Sequence, residues 1–257
     1  VVKTNMNKAM TYTVGAFVAL CAFAPAISGC IPRQPGGGGA GADASTGVAN
    51  LPDAKACPAD GLLDDGEDNN NQIALHKGRG GYWYTFADQA GSTITPQAGA
   101  LGGTFSMSPG GANGSQSAAR MNGKIGGSGT VFAGMGFNFV DPKAPADISQ
   151  YKGISFWAKR GENSAGAVRV KLPDVNTDPE GKVCTECFND FGMDIQLTTT
   201  WTQYFVLFGA AQQQAGWGQP RPGAPERAKM FGVQWQVNTP GADYDIYIDD
   251  VQFTGCP

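Results

Sequence analysis

Histidine is almost missing from this sequence of 257 residues: His76 is the only one. Catalytic or zinc-binding sets that draw on several histidines are thereby excluded. His76 lies in LHKGRGG, a turn between strands, with no serine or cysteine motif that marks a nucleophile, and reads as a surface residue. Charge is also scarce, at 16% of residues with a formal net charge of -4. No run of Lys or Arg occurs in the folded region, which argues against nucleic acid or an anionic membrane surface as a direct partner. No segment keeps a 3.6-residue apolar period long enough for a long helix, and no solenoid or propeller repeat is visible. What is plentiful is Gly, with 38 residues, and Pro, with 16. That composition suits many turns between short strands and argues for β structure.

The N-terminal segment has its own logic. Lys3 and Lys8 form a basic start, residues 11–26 form a mostly apolar uncharged run, and Ile27, Ser28, Gly29 and Cys30 follow. An aliphatic residue and two small ones before a cysteine resemble the lipobox of bacterial lipoprotein precursors. The resemblance implies cleavage before Cys30 and acylation of its thiol, so residues 1–29 are expected to be a signal peptide. An ordinary signal peptide or an uncleaved anchor helix are the alternatives. Ile31, rather than Asp, after Cys30 resembles lipoproteins sent on to an outer membrane. Residues 30–50 then read as the lipidated cysteine and a Gly-rich tether, and residues 51–257 as one domain long enough to bury a core.

Four cysteines remain in that domain: Cys57, Cys184, Cys187 and Cys256. They allow three pairings. A sandwich often brings its terminal strands side by side, so Cys57 is expected to pair with Cys256, and Cys184 with Cys187, as an oxidising compartment permits. A redox CxxC or a four-thiolate zinc site are the alternatives, although the flanks of VCTEC are loop-like rather than the start of a helix.

Strands are expected at 154–159, 168–172, 193–197, 201–208, 231–238 and 244–253. Val168, Val170 and Leu172 alternate with Arg169 and Lys171, and Phe231, Val233, Trp235 and Val237 alternate with Gly232, Gln234, Gln236 and Asn238. Each set reads as a strand with one buried face and one wet face. Taken in order, YKGISFWAKRG, VRVKLPD, NDFGMDIQLTTTWTQYFVLF, GWG, FGVQWQV and DIYIDDVQF resemble the galactose-binding-like jelly rolls, notably carbohydrate-binding modules of family 11. LLDDGED and GRGGYWYTFAD resemble the two opening strands. The resemblance implies an all-β jelly-roll β-sandwich with a concave face able to hold a glycan chain.

Sugars present apolar CH faces and hydroxyl edges, so a binding site needs flat aromatic side chains and planar hydrogen-bonding groups. Arg169, Lys171, Gln234 and Gln236 are expected to face outward on neighbouring strands. Trp217, in a loop broken by Gly and Pro, is a candidate stacking platform at the rim. Trp83 and Tyr84 alternate faces, so one is exposed; the same holds for Phe156 and Trp157, while Trp201 is expected in the core. Asp174, Asp178, Asn189 and Asp190 line the long loop that carries the CxxC. Glu67 and Asp250 resemble positions on opening and closing strands that hold a structural calcium in many jelly rolls. These readings converge on a non-catalytic, monomeric, lipid-anchored protein of the cell envelope that binds polysaccharide. A module that docks another surface protein, exposing an apolar patch, and a glycan-active enzyme with a carboxylate pair are the competing readings.

Overall fold

The computed structural model describes residues 55, 57, 59–99 and 105–256. The expected signal peptide, Cys30 and the tether lie outside them. Twelve strands are present among the described residues: β1 (Leu62–Asp64), β2 (Trp83–Ala87), β3 (Thr93–Thr95), β4 (Ser108–Pro109), β5 (Ser117–Lys124), β6 (Ala133–Asn138), β7 (Gly153–Arg160), β8 (Ala167–Leu172), β9 (Phe191–Gln196), β10 (Thr202–Leu207), β11 (Gly232–Val237) and β12 (Asp243–Thr254). They form two antiparallel sheets. One has five strands in the order β2-β6-β11-β8-β9; the other has seven, with β10-β7-β12-β5-β3 as its spine, β1 beside β12 and β4 beside β5. This is the β-sandwich that the strand pattern implies.

The core is aromatic and joins the two sheets. Trp83 of β2 stacks on Trp235 of β11 at 5.6 Å, and Phe156 of β7 meets Trp235 edge-on at 5.3 Å. Side-chain alternation puts Val233, Trp235 and Val237 inward and leaves Gln234 and Gln236 on the other face. Strand β6 does the same with Ala133, Met135 and Phe137 inside, but its outward positions are Gly134 and Gly136. A Cβ on Gly134 would collide with the ring of Phe86, and one on Gly136 with the Val233 carbonyl oxygen, so the absence of side chains lets the neighbouring groups lie against this strand.

Both expected disulfides are formed. Cys57 and Cys256 join the ends of the domain, with Cα atoms 5.7 Å apart, and Cys184 and Cys187 close a small loop. Two expectations need correction. Trp201 is not core: it precedes β10, lies half-buried on the outer face of the seven-stranded sheet and carries the Lys159 ammonium 4.9 Å from its ring. The strand-pairing register explains the error, since Phe156 takes the inward position on β7 and turns Trp157 and Lys159 outward. Glu67 is not on the opening strand either; β1 ends at Asp64, and Gly66, at φ +69°, turns the chain before Glu67.

Candidate functional site

The outer face of the five-stranded sheet is ordered in two rows that run across all five strands. Register places Tyr84, Gly136, Gln234, Lys171 and Gly192 in one row, and Phe86, Gly134, Gln236, Arg169 and Asp194 in the next. Residues 173–190, the connection from β8 to β9, form a strap whose last residue, Asp190, engages the first row at Lys171. Lys171 forms an ion pair at 3.0 Å with Asp190, and Lys143 forms one at 2.7 Å with Asp178. Tyr84 accepts a 2.8 Å hydrogen bond from Gln234 Nε2, and burial raises the pKa of its phenol.

Arg169 and Lys171 therefore do face away from the core, yet each is only 6% exposed. Alternation gives the side of the sheet; Asp190 on Lys171 and the Gln212 carbonyl on Arg169 take these two side chains from water. Asp190 is buried with Lys171, and burial raises its pKa against the opposing effect of the ammonium. Its Oδ1 has no hydrogen-bond partner.

Two more loop residues of the expected set hold the loops rather than offering themselves to a ligand. Asp174 is fully buried; it accepts hydrogen bonds from Asn176 N, Thr177 Oγ1 and Glu226 N. Asn189 donates to the carbonyls of Gln214 and Trp217 and accepts from Gln214 N, joining the strap to the loop after β10. Trp83 is the inward member of its pair, 1% exposed, with its indole Nε1 donating to the Asp64 carboxylate; it cannot meet a ligand. Tyr84 is the outward member.

Two adjoining clefts open at the β9 end of this face. The larger, about 620 Å³, is lined by Arg169, Gly192, Met193, Asp194, Ala210, Gln212, Gln213, Gln214 and Ala215. The second, about 410 Å³, is lined by Glu186, Asn189, Pro220 and residues 213–218, including Trp217. Gln213, Gln214 and Ala215 line both, so the two adjoin and are together called the trough below. Arg169 is fixed in its wall by hydrogen bonds to the carbonyls of Gln212 (2.6 Å) and Asp190 (3.3 Å) and by a 3.1 Å contact with Asp194. Trp217 is 47% exposed, with its indole N–H 3.3 Å from Gln214 Oε1.

The trough thus combines an exposed indole, glutamine amides, a fixed guanidinium and two carboxylates, a set suited to sugar hydroxyls and CH faces. Its two acids lie in different clefts, with Asp194 on Arg169 in the first and Glu186 in the second. His76 lines neither; it sits 3.2 Å from the Asp60 carboxylate.

Phe86 of the outer face and the glutamines at 212–214, which line the trough, are residues that the sequence reading missed. Phe86 was within reach, since it stands two residues after Tyr84 in a strand and must share its face. The glutamines carry no periodic signal and come to the site only through the bridge between Gly192 and Gln212.

Away from the trough lining, Glu67 Oε1 accepts from Ser115 Oγ, Gln116 N and Ser117 N. Asp250 lies at the irregular register of β12, at φ +48°, where burial and repulsion from Asp65 and Glu67 raise its pKa. Among the described residues no three His, Cys, Asp or Glu side chains are grouped as a metal site.

No family model matches the sequence, and no curated protein matches it. The fold does have solved counterparts. It is similar to the family 11 carbohydrate-binding module of the cellulosomal cellulase Lic26A-Cel5E of Clostridium thermocellum, with a TM-score of 0.52 at 12% identity over 76% of this chain and 95% of that one. It is also similar to a family 11 module from Clostridium thermocellum in complex with a β-1,3-1,4-mixed-linked tetrasaccharide, with a TM-score of 0.50 at 12% identity over 73% and 96% of the two chains. At such identity the likeness is one of fold alone: a jelly-roll β-sandwich.

Proposed function

We propose that this protein binds a polysaccharide without modifying it, in the trough that runs from Arg169 and Asp194 to Trp217. The observation that carries the reading is the exposed Trp217 indole beside Arg169, Gln212, Gln213 and Gln214 in one open trough. The fold supports it by analogy with the family 11 modules. Native gels cast with mixed-linkage β-1,3-1,4-glucan, xylan or mannan test it: retardation on at least one polymer is expected, lost in Trp217→Ala and weakened in Gln214→Ala. Unretarded migration on the whole panel overturns it, and release of reducing ends would replace it with the enzyme reading.

The second reading, a docking surface for another protein, is favoured by one observation. Val183, Phe188 and Trp217 are exposed on two loops that are hydrogen-bonded to each other through Thr185, Glu186 and Gln219. Retention of a protein partner by Trp217→Ala but not by Val183→Ser/Phe188→Ser would separate it from glycan binding.

The remaining parts of the proposal concern the setting. The protein works as a monomer, lipidated at Cys30, with the tether holding the sandwich off the outer membrane at the cell surface. Labelling with radioactive palmitate, abolished in Cys30→Ser, is the test. A structural calcium fits only if Glu67 contributes the oxygen not engaged by Ser115, Gln116 and Ser117, with Asp250 opposite; the ion would relieve the repulsion at Asp250. A rise in Tm on adding calcium, absent in Asp250→Asn, is the expected result.

A further inference from the structure

The loop that carries Trp217 is held by side chains rather than by a strand ladder. Residues 213–221 lie in no strand or helix and include Gly216 and Gly218, at φ +87° and +71°. Two amides fix their backbone. Asn189, 2% exposed, donates from Nδ2 to the carbonyls of Gln214 (2.8 Å) and Trp217 (2.6 Å) and accepts from Gln214 N at 3.0 Å. Gln213 donates from Nε2 to the carbonyls of Asn189 (2.6 Å) and Gln219 (3.2 Å) and accepts from Arg221 N at 2.6 Å. Gly218 lies flat on the first of these amides, since a Cβ there would come within 2.4 Å of Asn189 Cβ.

Both N–H donors of each amide are engaged in this way, so Gln213, although it lines both clefts, has none left for a ligand. Gln214 differs. Its Oε1 is 3.3 Å from the Trp217 indole nitrogen, a group that can only donate, so the carbonyl end of the amide is turned to the indole. Its free end is Nε2, which has no partner among the described residues.

We infer that Gln214 is the residue that selects the ligand beside Trp217, donating from Nε2 to an oxygen on the rim of a sugar ring stacked on the indole, and that Asn189 and Gln213 are positioning residues that fix both groups before the ligand arrives. This rests on the glycan reading of the trough. The clamp supplies pre-organisation: a platform whose backbone is already fixed loses little freedom on binding. Its donors are what matter, because Asp at 189 or Glu at 213 keeps the shape and the accepting oxygens but sets a carboxylate against carbonyl oxygens.

Isosteric variants separate these roles. Asn189→Asp, Gln213→Glu, Gln214→Glu, Gln214→Ala and Trp217→Ala are compared with the native protein on mixed-linkage β-1,3-1,4-glucan, xylan and mannan, with circular dichroism to establish folding. The native protein and the variants at 189 and 213 are also labelled with 5-fluorotryptophan, the Trp217 resonance being assigned by its absence from Trp217→Phe. Without ligand, Asn189→Asp and Gln213→Glu are expected to shift or broaden the Trp217 resonance and leave those of Trp83 and Trp235 in place, and with ligand to bind about tenfold more weakly. Gln214→Glu and Gln214→Ala are expected to weaken binding alike, by about fivefold to tenfold, because both remove Nε2.

A Trp217 resonance unchanged in both clamp variants overturns the positioning role. Native affinity in Gln214→Glu, with Trp217→Ala inactive, overturns the donor role of Gln214 and leaves the trough standing. If no form binds any polymer, the native protein included, the glycan reading falls and the role of Gln214 with it, while a shifted Trp217 resonance still upholds the clamp.

Discussion

Trp83 and Trp217 carry the same side chain to opposite ends. Trp83 is enclosed by Phe105, Phe137 and Trp235 at 5.7, 4.9 and 5.6 Å, so Trp83→Ala empties the centre of the core and should cost about 3–5 kcal/mol in denaturant unfolding. Trp217, half in water, should leave stability within about 0.5 kcal/mol when truncated and show its loss in binding. Asp64, which accepts from the Trp83 indole, and Asp249, which accepts from Ala112 N at 2.7 Å, are both pushed up to about 6 by burial from 3.8. Their folded-state values lie above the unfolded ones, so the folded protein holds more protons between these limits. Their stabilising effect is complete below pH ~4 and is lost as pH rises through ~6. Tm should therefore fall between pH 4 and 7, and Asp64→Asn should flatten the profile; a Tm that rises over this interval in the native protein would contradict these assignments.

Among the elements, the two disulfides differ in what they restrain. Cys57 and Cys256 are separated by 199 residues and tie the start of the domain to the end of β12, whereas Cys184 and Cys187 are separated by 3. Loop-closure entropy grows with the logarithm of loop length, so Cys57→Ser/Cys256→Ser should lower stability by about 2–5 kcal/mol and the inner pair by less than half as much. Equal losses would show that strain or local packing governs instead. The strands themselves were legible where a side-chain period exists. From residue 153 onward β7, β8, β11 and β12 alternate large apolar and polar residues, and the expected boundaries fall within a few residues of those observed. Strands β5 and β6 escaped because SAARMNGK and AGMGFN use Ala and Gly where a reader looks for branched or aromatic residues. They are strands because their neighbours β12, β2 and β11 supply the ladder and the packing.

At the scale of the whole molecule, a sequence read strand by strand gives the side on which a residue stands, and cannot give what lies above it. Gln234 and Gln236 remain on the outer face as alternation requires, but Lys171 is taken from water by Asp190 and Arg169 largely by the Gln212 carbonyl, on loops whose path depends on contacts with Lys143, Gln214 and Glu226, all distant in sequence. The same sealing sets the charge of what stays open. Arg169 enters the trough already neutralised by Asp194 at 3.1 Å, Glu186 is the acid of the second cleft, and the chain as a whole is -4. No uncompensated cation faces a ligand there, so recognition must come from stacking and short-range hydrogen bonds, which salt does not screen, rather than from long-range attraction, which it does. Affinity for a neutral polysaccharide should then change by less than about twofold between roughly 20 and 500 mM NaCl, and a polyuronate of similar length should compete poorly at low salt through repulsion from the acidic chain. A steep loss of affinity with salt, or preferential binding of the polyuronate, would mean that Arg169 parts from Asp194 to meet a carboxylate, and would move the ligand from neutral to acidic glycans.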